Sequence, residues 1–251
     1  DADAGTDADA GTDADVVLDS ASLTPEDVVA VAREDATVGV ATDAREAVRE
    51  SRERVAEVAA GDEAVYGVNT GFGELVDERI DRADLAALQT NLLRSHAAGT
   101  GPELPREVVR AMLVARVNAL AAGYSGVREV VLDHLVTMLN EGVHPVVPRT
   151  GSLGASGDLA PLAHASLVLI GEGVADVDAG SGRGAADRLD GAAALDRAGL
   201  EPLALRAKEG LALINGTQLT TGTAALLAVN AGRLVRAADV AGALTTEVTM
   251  S

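Results

Sequence analysis

The 251-residue chain is 47% hydrophobic but only 1% aromatic, so its core must be built from Ala, Val and Leu, which favours closely packed helices over aromatic-rich strands. Its formal charge of −19, with 39 acidic residues against 20 basic ones, excludes nucleic acid and anionic membrane surfaces as partners, because it lacks the basic patches that phosphate neutralisation needs. It has no cysteine, which excludes disulfides, thiolate catalysis and Cys-ligated metals.

Residues 1–15 read DADAGTDADAGTDAD, a repeat with nothing bulky to bury, and are expected to be a disordered acidic tail. Stripping its aspartates leaves the rest still strongly acidic. Such a surface suits a salt-rich cytoplasm, where ions screen carboxylate repulsion. The N-terminus has no apolar signal-like stretch and no apolar run is long enough to span a bilayer, so the expected location is cytoplasmic.

Thr24 before Pro25, with Asp27 three residues on, predicts a capped helix start. Asp43 with Glu46 repeats that spacing, and Gly61 supplies a left-handed stop for a helix of roughly 16 residues. The segment YGVNTGFGEL (Tyr66 to Leu75) breaks the helical period with three glycines and reads as a loop. Apolar residues at three and four spacing then predict core-facing helices through Leu85, Leu88, Leu92 and Leu93, through Val108, Met112, Val117 and Leu120, and from about Val127 to Asn140. Residues 144–158 read as a structured loop and residues 174–190 as a surface excursion. From Leu211 the chain is apolar to its end without a stop signal, as if a long buried helix were cut in mid-course. The expected fold is mainly α, in three segments: the tail 1–15, an N-terminal domain 16–210, and the start of a central helical bundle over 211–251.

HPVVPRTGSLGASGDLAPLAH, from His144 to His164, is the most informative stretch. It fits a phosphate cradle poorly, because no Gly-Lys-Ser/Thr follows. A nucleophile elbow fails, since the glycine after Ser156 comes one place early. A plain Gly-rich turn remains open. Ala155-Ser156-Gly157 has a further chemical possibility: the Gly157 nitrogen can close on the Ala155 carbonyl carbon, and dehydration of Ser156 then gives a methylidene-imidazolone. That group is an electrophile, which common side chains do not supply.

GSLGASGDLAPLAH, YGVNTGFG, NLLRSHAAGTG and KEGLALINGTQ, in that family's order and spacing, resemble the signature blocks of the aromatic amino acid ammonia-lyases, across residues 66 to 218. Ser95-His96 resembles the histidine-specific branch; a His there can hydrogen-bond an imidazole substrate. The resemblance implies non-oxidative deamination of L-histidine to trans-urocanate and ammonia, with 4-methylidene-imidazol-5-one formed autocatalytically from Ala155, Ser156 and Gly157 and no external cofactor or metal. It further implies Tyr66 as the base for the β-proton, Asn215 as a donor to the imidazolone oxygen, and His96, Asn69 and Gly73 as substrate-binding residues. Thr70 and Gly71 would complete the loop beside Tyr66, while His144 and His164 read as structural and Asp158 as a support for the turn. A homotetramer is implied, as is a later substrate-binding half not contained in these residues. The alternatives are a tyrosine or phenylalanine substrate, or an inactive piece serving only as structure.

Overall fold

The computed structural model describes residues 13–61, 63–70, 80, 84–179 and 186–249. It is mainly helical, with a core of Ala, Val, Leu and Met, as the near absence of aromatics requires. The N-terminal elements are β1 (Val16–Leu18), α1 (Pro25–Arg33), β2 (Val38–Val40) and α2 (Thr42–Ala60). Strands β1 and β2 pair in parallel, and Asp15 ties down their start by accepting from the Thr37 N–H and hydroxyl at 2.9 and 2.8 Å.

At the start of α1, Thr24 and Asp27 form the expected capping box, with Pro25 in the first turn. The second capping expectation fails. Helix α2 begins two residues earlier, after Ala41 and without a side-chain cap, so Asp43 lies inside its first turn, where its charge favours the helix dipole. Gly61 does close α2, but in an extended conformation (φ −74°) and not the left-handed one.

The centre is α3 (Leu85–His96), β3 (Thr100–Glu103), α4 (Arg106–Ala121) and α5 (Glu129–Asn140). Helix α4 is buried on nearly every face and packs against α1 and α5. Its Arg110, 1% exposed, donates to the carbonyls of Val31 and Leu139, each at 2.8 Å, in the last turns of α1 and α5. Those carbonyls have no intrahelical donor, so the guanidinium satisfies two helix ends at once.

Two expectations about loops are corrected. Residues 144–158 contain strand residues: β4 (Val143–Pro145) and β5 (Pro148–Thr150), the latter antiparallel to β3. The supposed surface excursion at 174–190 contributes β6 (Val174–Asp178) and β7 (Ala186–Asp190), which extend β4 into a three-stranded antiparallel sheet. Alternation there is masked by Asp, Gly and Ala, although Ala175 and Val177 do point into the core.

Next come α6 (Leu159–Leu169), which precedes β6, and then α7 (Gly191–Arg197), α8 (Glu209–Ile214) and the 32-residue α9 (Gln218–Thr249). The apolar stretch from Leu211 is therefore two helices with a turn between them. It is buried only at the start: Leu226 and Val229 pack inward, but Leu234, Val235, Val240, Leu244 and Val248 are exposed. Among the described residues no helix is long and apolar enough to cross a membrane, and no acidic or His cluster could hold a metal.

Candidate active site

The tripeptide sits in a turn between β5 and α6. Gly154 (φ +74°) and Gly157 (φ +109°) bend the chain there, and the second value is one that a side-chain-bearing residue rarely adopts. At Gly157 a Cβ would also collide with the Gly216 carbonyl oxygen, so backbone meets backbone across this contact. Ala155 and Ser156 are exposed while Gly157 and Asp158 are buried, which leaves the serine side chain on the open face of a turn held from behind.

Asp158 does the holding. It is 1% exposed, and its carboxylate accepts from the Ser152 hydroxyl (2.7 Å), the Thr220 hydroxyl (3.0 Å) and the Thr220 N–H (2.8 Å). Its own N–H donates to the Gly216 carbonyl at 2.7 Å. Although it immediately precedes α6, its side chain does not cap that helix; it caps the first turn of α9 instead. The turn after the tripeptide is thereby stapled to the Asn215–Thr220 segment.

His96, the last residue of α3, lies on the same cleft as the tripeptide although 60 positions separate it from Ser156. This cleft, of about 250 Å³, is lined by Ser95, His96, Leu153, Ala155, Ser156 and Gly157, with Leu159 and Ala160 behind. The His96 Nδ1 lies 2.9 Å from the Leu92 carbonyl, which can only accept. Nδ1 also lies 3.1 Å from the Ser95 hydroxyl; in the tautomer that donates to the Leu92 carbonyl, Nε2 is an acceptor. The strand that follows is anchored from α6: the Gly99 N–H donates to His164 Nε2 at 3.0 Å. Burial holds the His164 pKa below its ordinary value, which favours this acceptor form.

The remaining candidates divide. Tyr66 is 54% exposed in a turn at 66–69, and it is not among the residues lining the cleft. Asn69 is buried and its side chain is engaged by backbone: Oδ1 accepts from the Val65 N–H at 2.8 Å, and Nδ2 donates to the Glu63 carbonyl at 2.9 Å. An amide so occupied ties the Tyr66 turn to the backbone before it. Thr70 is buried beside it, whereas Gly71 and Gly73 lie outside the described residues. Asn215 closes α8 with an exposed side chain, one residue before the Gly216 that abuts Gly157.

The Lys208-Glu209 pair of the last block is structural. Glu209 is fully buried and is met by the Arg128 guanidinium at 2.8 Å and by the N–H groups of Arg128 and Arg206. Lys208 takes a left-handed conformation and donates to the Ser125 carbonyl at 2.7 Å. Two residues around the site lie outside every motif block, Thr220 and Arg116, and Ser152 lies inside one without a role assigned from sequence. Arg116 at least left a trace, as a cation inside the apolar period of α4.

Residues 23–251 match the family described as aromatic amino acid lyase, and the chain belongs to that family. It is 69% identical, over 236 residues, to a protein of Halobacterium salinarum named a probable histidine ammonia-lyase, covering 94% of this chain and 44% of that protein. In structure it is similar to the histidine ammonia-lyase of Trypanosoma cruzi (TM-score 0.84, 38% identity, 92% of this chain and 43% of that one). It is also similar to a tyrosine aminomutase from Streptomyces globisporus (TM-score 0.74, 43% identity, 84% of this chain and 38% of that one). The chain thus spans less than half the length of these relatives.

Proposed function

We propose that the protein to which these residues belong is a carbon-nitrogen lyase that deaminates L-histidine non-oxidatively to trans-urocanate and ammonia. The observation that carries this reading is the shared cleft of His96 and Ala155-Ser156-Gly157. Histidine is favoured over tyrosine or phenylalanine because the His96 Nε2 acceptor suits an imidazole N–H, and because the Halobacterium salinarum and Trypanosoma cruzi relatives carry that name.

The residues fit an internally formed 4-methylidene-imidazol-5-one. A glycine at 157 has the positive φ and the absent Cβ that tight ring closure needs, and Ser156 stands on the open face. When formed, that group supplies an electrophilic carbon that draws electron density from the substrate. His96 orients the imidazole, Tyr66 takes the β-proton, and the Asn215 amide donates to negative charge at the ring oxygen. Asn69 and Thr70 act one step back, by holding the Tyr66 turn.

Residues 211–251 begin the central helical bundle of a homotetramer, supported by the apolar side chains exposed along α9. A cytoplasmic location is supported by a cysteine-free composition. The test is made on the complete reading frame containing these 251 residues. Intact mass should show the loss of two waters, and L-histidine should yield urocanate absorbance. Ser156→Ala should remove both while leaving the helical fold. An unmodified wild-type mass, or a Ser156→Ala protein with ordinary activity, would refute the reading.

A further inference from the structure

Behind the Asn215–Gln218 turn lies a buried cation. Arg116, on α4, is 4% exposed, and among the described residues no carboxylate pairs with it. Its Nη1 donates to the Asn215 carbonyl at 3.1 Å and to the Gln218 Oε1 at 2.9 Å, and its Nε finds no hydrogen-bond partner among the described residues. Two neutral oxygens are poor compensation for a desolvated guanidinium, and burial drives its pKa down to about 10. A neutral residue of similar length would cost the fold less.

The turn wraps closely on this group. A Cβ at Gly216 would collide with the Arg116 Nη1 and with both polar atoms of the Gln218 side chain. On its other side, the same Gly216 presses its carbonyl against Gly157 and accepts from the Asp158 N–H. One glycine thickness therefore separates the guanidinium from the tripeptide.

We infer that Arg116 is a positioning residue for ring closure, holding the Asn215–Gln218 turn against Gly157 and setting a positive potential behind Ala155-Ser156-Gly157. The inference rests on the reading given under Proposed function. In the closure, the Gly157 nitrogen forms a bond to the Ala155 carbonyl carbon; the oxygen of that carbonyl then leaves as the first water with two protons, one from the Gly157 N–H and one from the Ser156 N–H, and a C=N bond forms between the Ala155 carbon and the Ser156 nitrogen. Ser156 then loses its Cα proton and its hydroxyl as the second, so no oxidant or reductant is needed. Negative charge gathers on the Ala155 oxygen as the nitrogen attacks, and a nearby fixed cation in a water-poor setting lowers that barrier. The pressed turn supplies the approach.

The test follows the mass of the peptide containing residues 155–157 with time after synthesis, again in the complete reading frame. Arg116→Met removes the charge and keeps the length. Gln218→Glu keeps both bulks and neutralises the guanidinium with a carboxylate, while Arg116→Lys restores a cation. Circular dichroism checks that each variant is folded. Ring closure should slow roughly tenfold or more in Arg116→Met and Gln218→Glu, with Arg116→Lys closer to wild type than either. A merely structural Arg116 would not make Gln218→Glu slow. Should Arg116→Met fail to fold, Gln218→Glu decides alone. Wild-type rates of water loss in folded Gln218→Glu overturn the inference and leave the lyase reading intact; a wild-type chain that never loses water overturns the reading itself.

Discussion

The Asp158 carboxylate and Thr220 are joined twice, through the Thr220 N–H at 2.8 Å and its hydroxyl at 3.0 Å, so the residue after Ala155-Ser156-Gly157 caps a helix that begins 60 positions later. This cap differs from an ordinary one in that its carboxylate is buried and shares an accepting oxygen with the Ser152 hydroxyl. Asp158→Asn keeps the volume but turns one accepting oxygen into a donor that faces donors. The expected loss is about 2 kcal/mol of stability, read from urea unfolding, with a slower appearance of the dehydrated mass. Thr220→Val, which removes only the hydroxyl, should cost less, about 1 kcal/mol.

Specificity is predicted to reside at the end of α3. Replacing Ser95-His96 by Phe-Leu removes the Nε2 acceptor and should lower kcat/KM for L-histidine by roughly tenfold to a hundredfold, while leaving water loss at the tripeptide untouched. Steady-state kinetics with L-histidine, L-tyrosine and L-phenylalanine check it. His164→Ala should act in the same direction more weakly, by raising KM, because it strands the Gly99 N–H that fixes the backbone just beyond His96. His164→Gln, which can offer an oxygen to that N–H, should restore it. Unchanged selectivity in the double replacement would move substrate choice elsewhere in the protein.

The helices of the core were legible because Leu85 to Leu93 and Val108 to Leu120 keep an unbroken three and four spacing, and the Thr24-Pro25-Asp27 cap is a local signal with a local cause. Asp43 misled because an acidic residue is equally at home as a cap and one or two places inside the first turn. The hairpin of β6 and β7 was invisible because Asp, Gly and Ala replace the usual strand formers, and its pairing with β4 is a long-range choice that no window of sequence contains. At the candidate site, the motifs singled out the tripeptide and His96, which share one cleft, and Asn215, which precedes the Gly216 that abuts Gly157. They could not show Asp158 reaching α9 or Arg116 reaching the Asn215 carbonyl, since each contact joins segments that are distant along the chain. The backbone hydrogen bonds of the Asn69 amide were equally invisible, since they depend on the loop's path.

Stability should fall as pH drops from neutral towards about 4. His144 is 4% exposed, and burial, with Arg106 beside it, pushes its pKa from 6.5 down to about 4 despite the opposing hydrogen bond with Asp178. A base with a depressed folded pKa gives a contribution that is fully present above the unfolded value and is lost as pH falls towards the folded one. Here the window runs from 6.5 to about 4, and the full loss is about 3 kcal/mol. The shift at His164 has the same sign and adds to it. Asp178 also titrates low: burial opposes its ionisation, but the Arg106 guanidinium and His144 outweigh it, so its contribution erodes only below 3.8. Urea unfolding at about pH 7 and about pH 5 should show the drop, and His144→Gln should flatten it. An equal drop in that variant would exclude His144 as the source.

The melting temperature should rise with added KCl. The excess of carboxylates is spread along the chain and is not concentrated on one helix: α2 sets Asp43, Glu46, Glu50, Glu53 and Glu57 against Arg45, Arg49, Arg52 and Arg54, with Arg54 pairing with Glu50 at a loose 3.5 Å. Two electrostatic effects compete when salt is added, since screening weakens both the repulsion and the ion pairs. Distance decides between them. The screening length shortens from about 10 Å at 0.1 M to about 3 Å at 1 M. Close pairs such as Arg188 with Glu103 and Arg106 with Asp178, both at 2.7 Å, stay within even the shorter length, whereas repulsion across a helix face does not. Relief of roughly 2 kcal/mol would lift the melting temperature by about 5 °C in a chain of this size. Sucrose, which strengthens burial without screening, is the control: a rise with KCl that sucrose reproduces in full would assign the effect to solvent exclusion and not to the −19 charge.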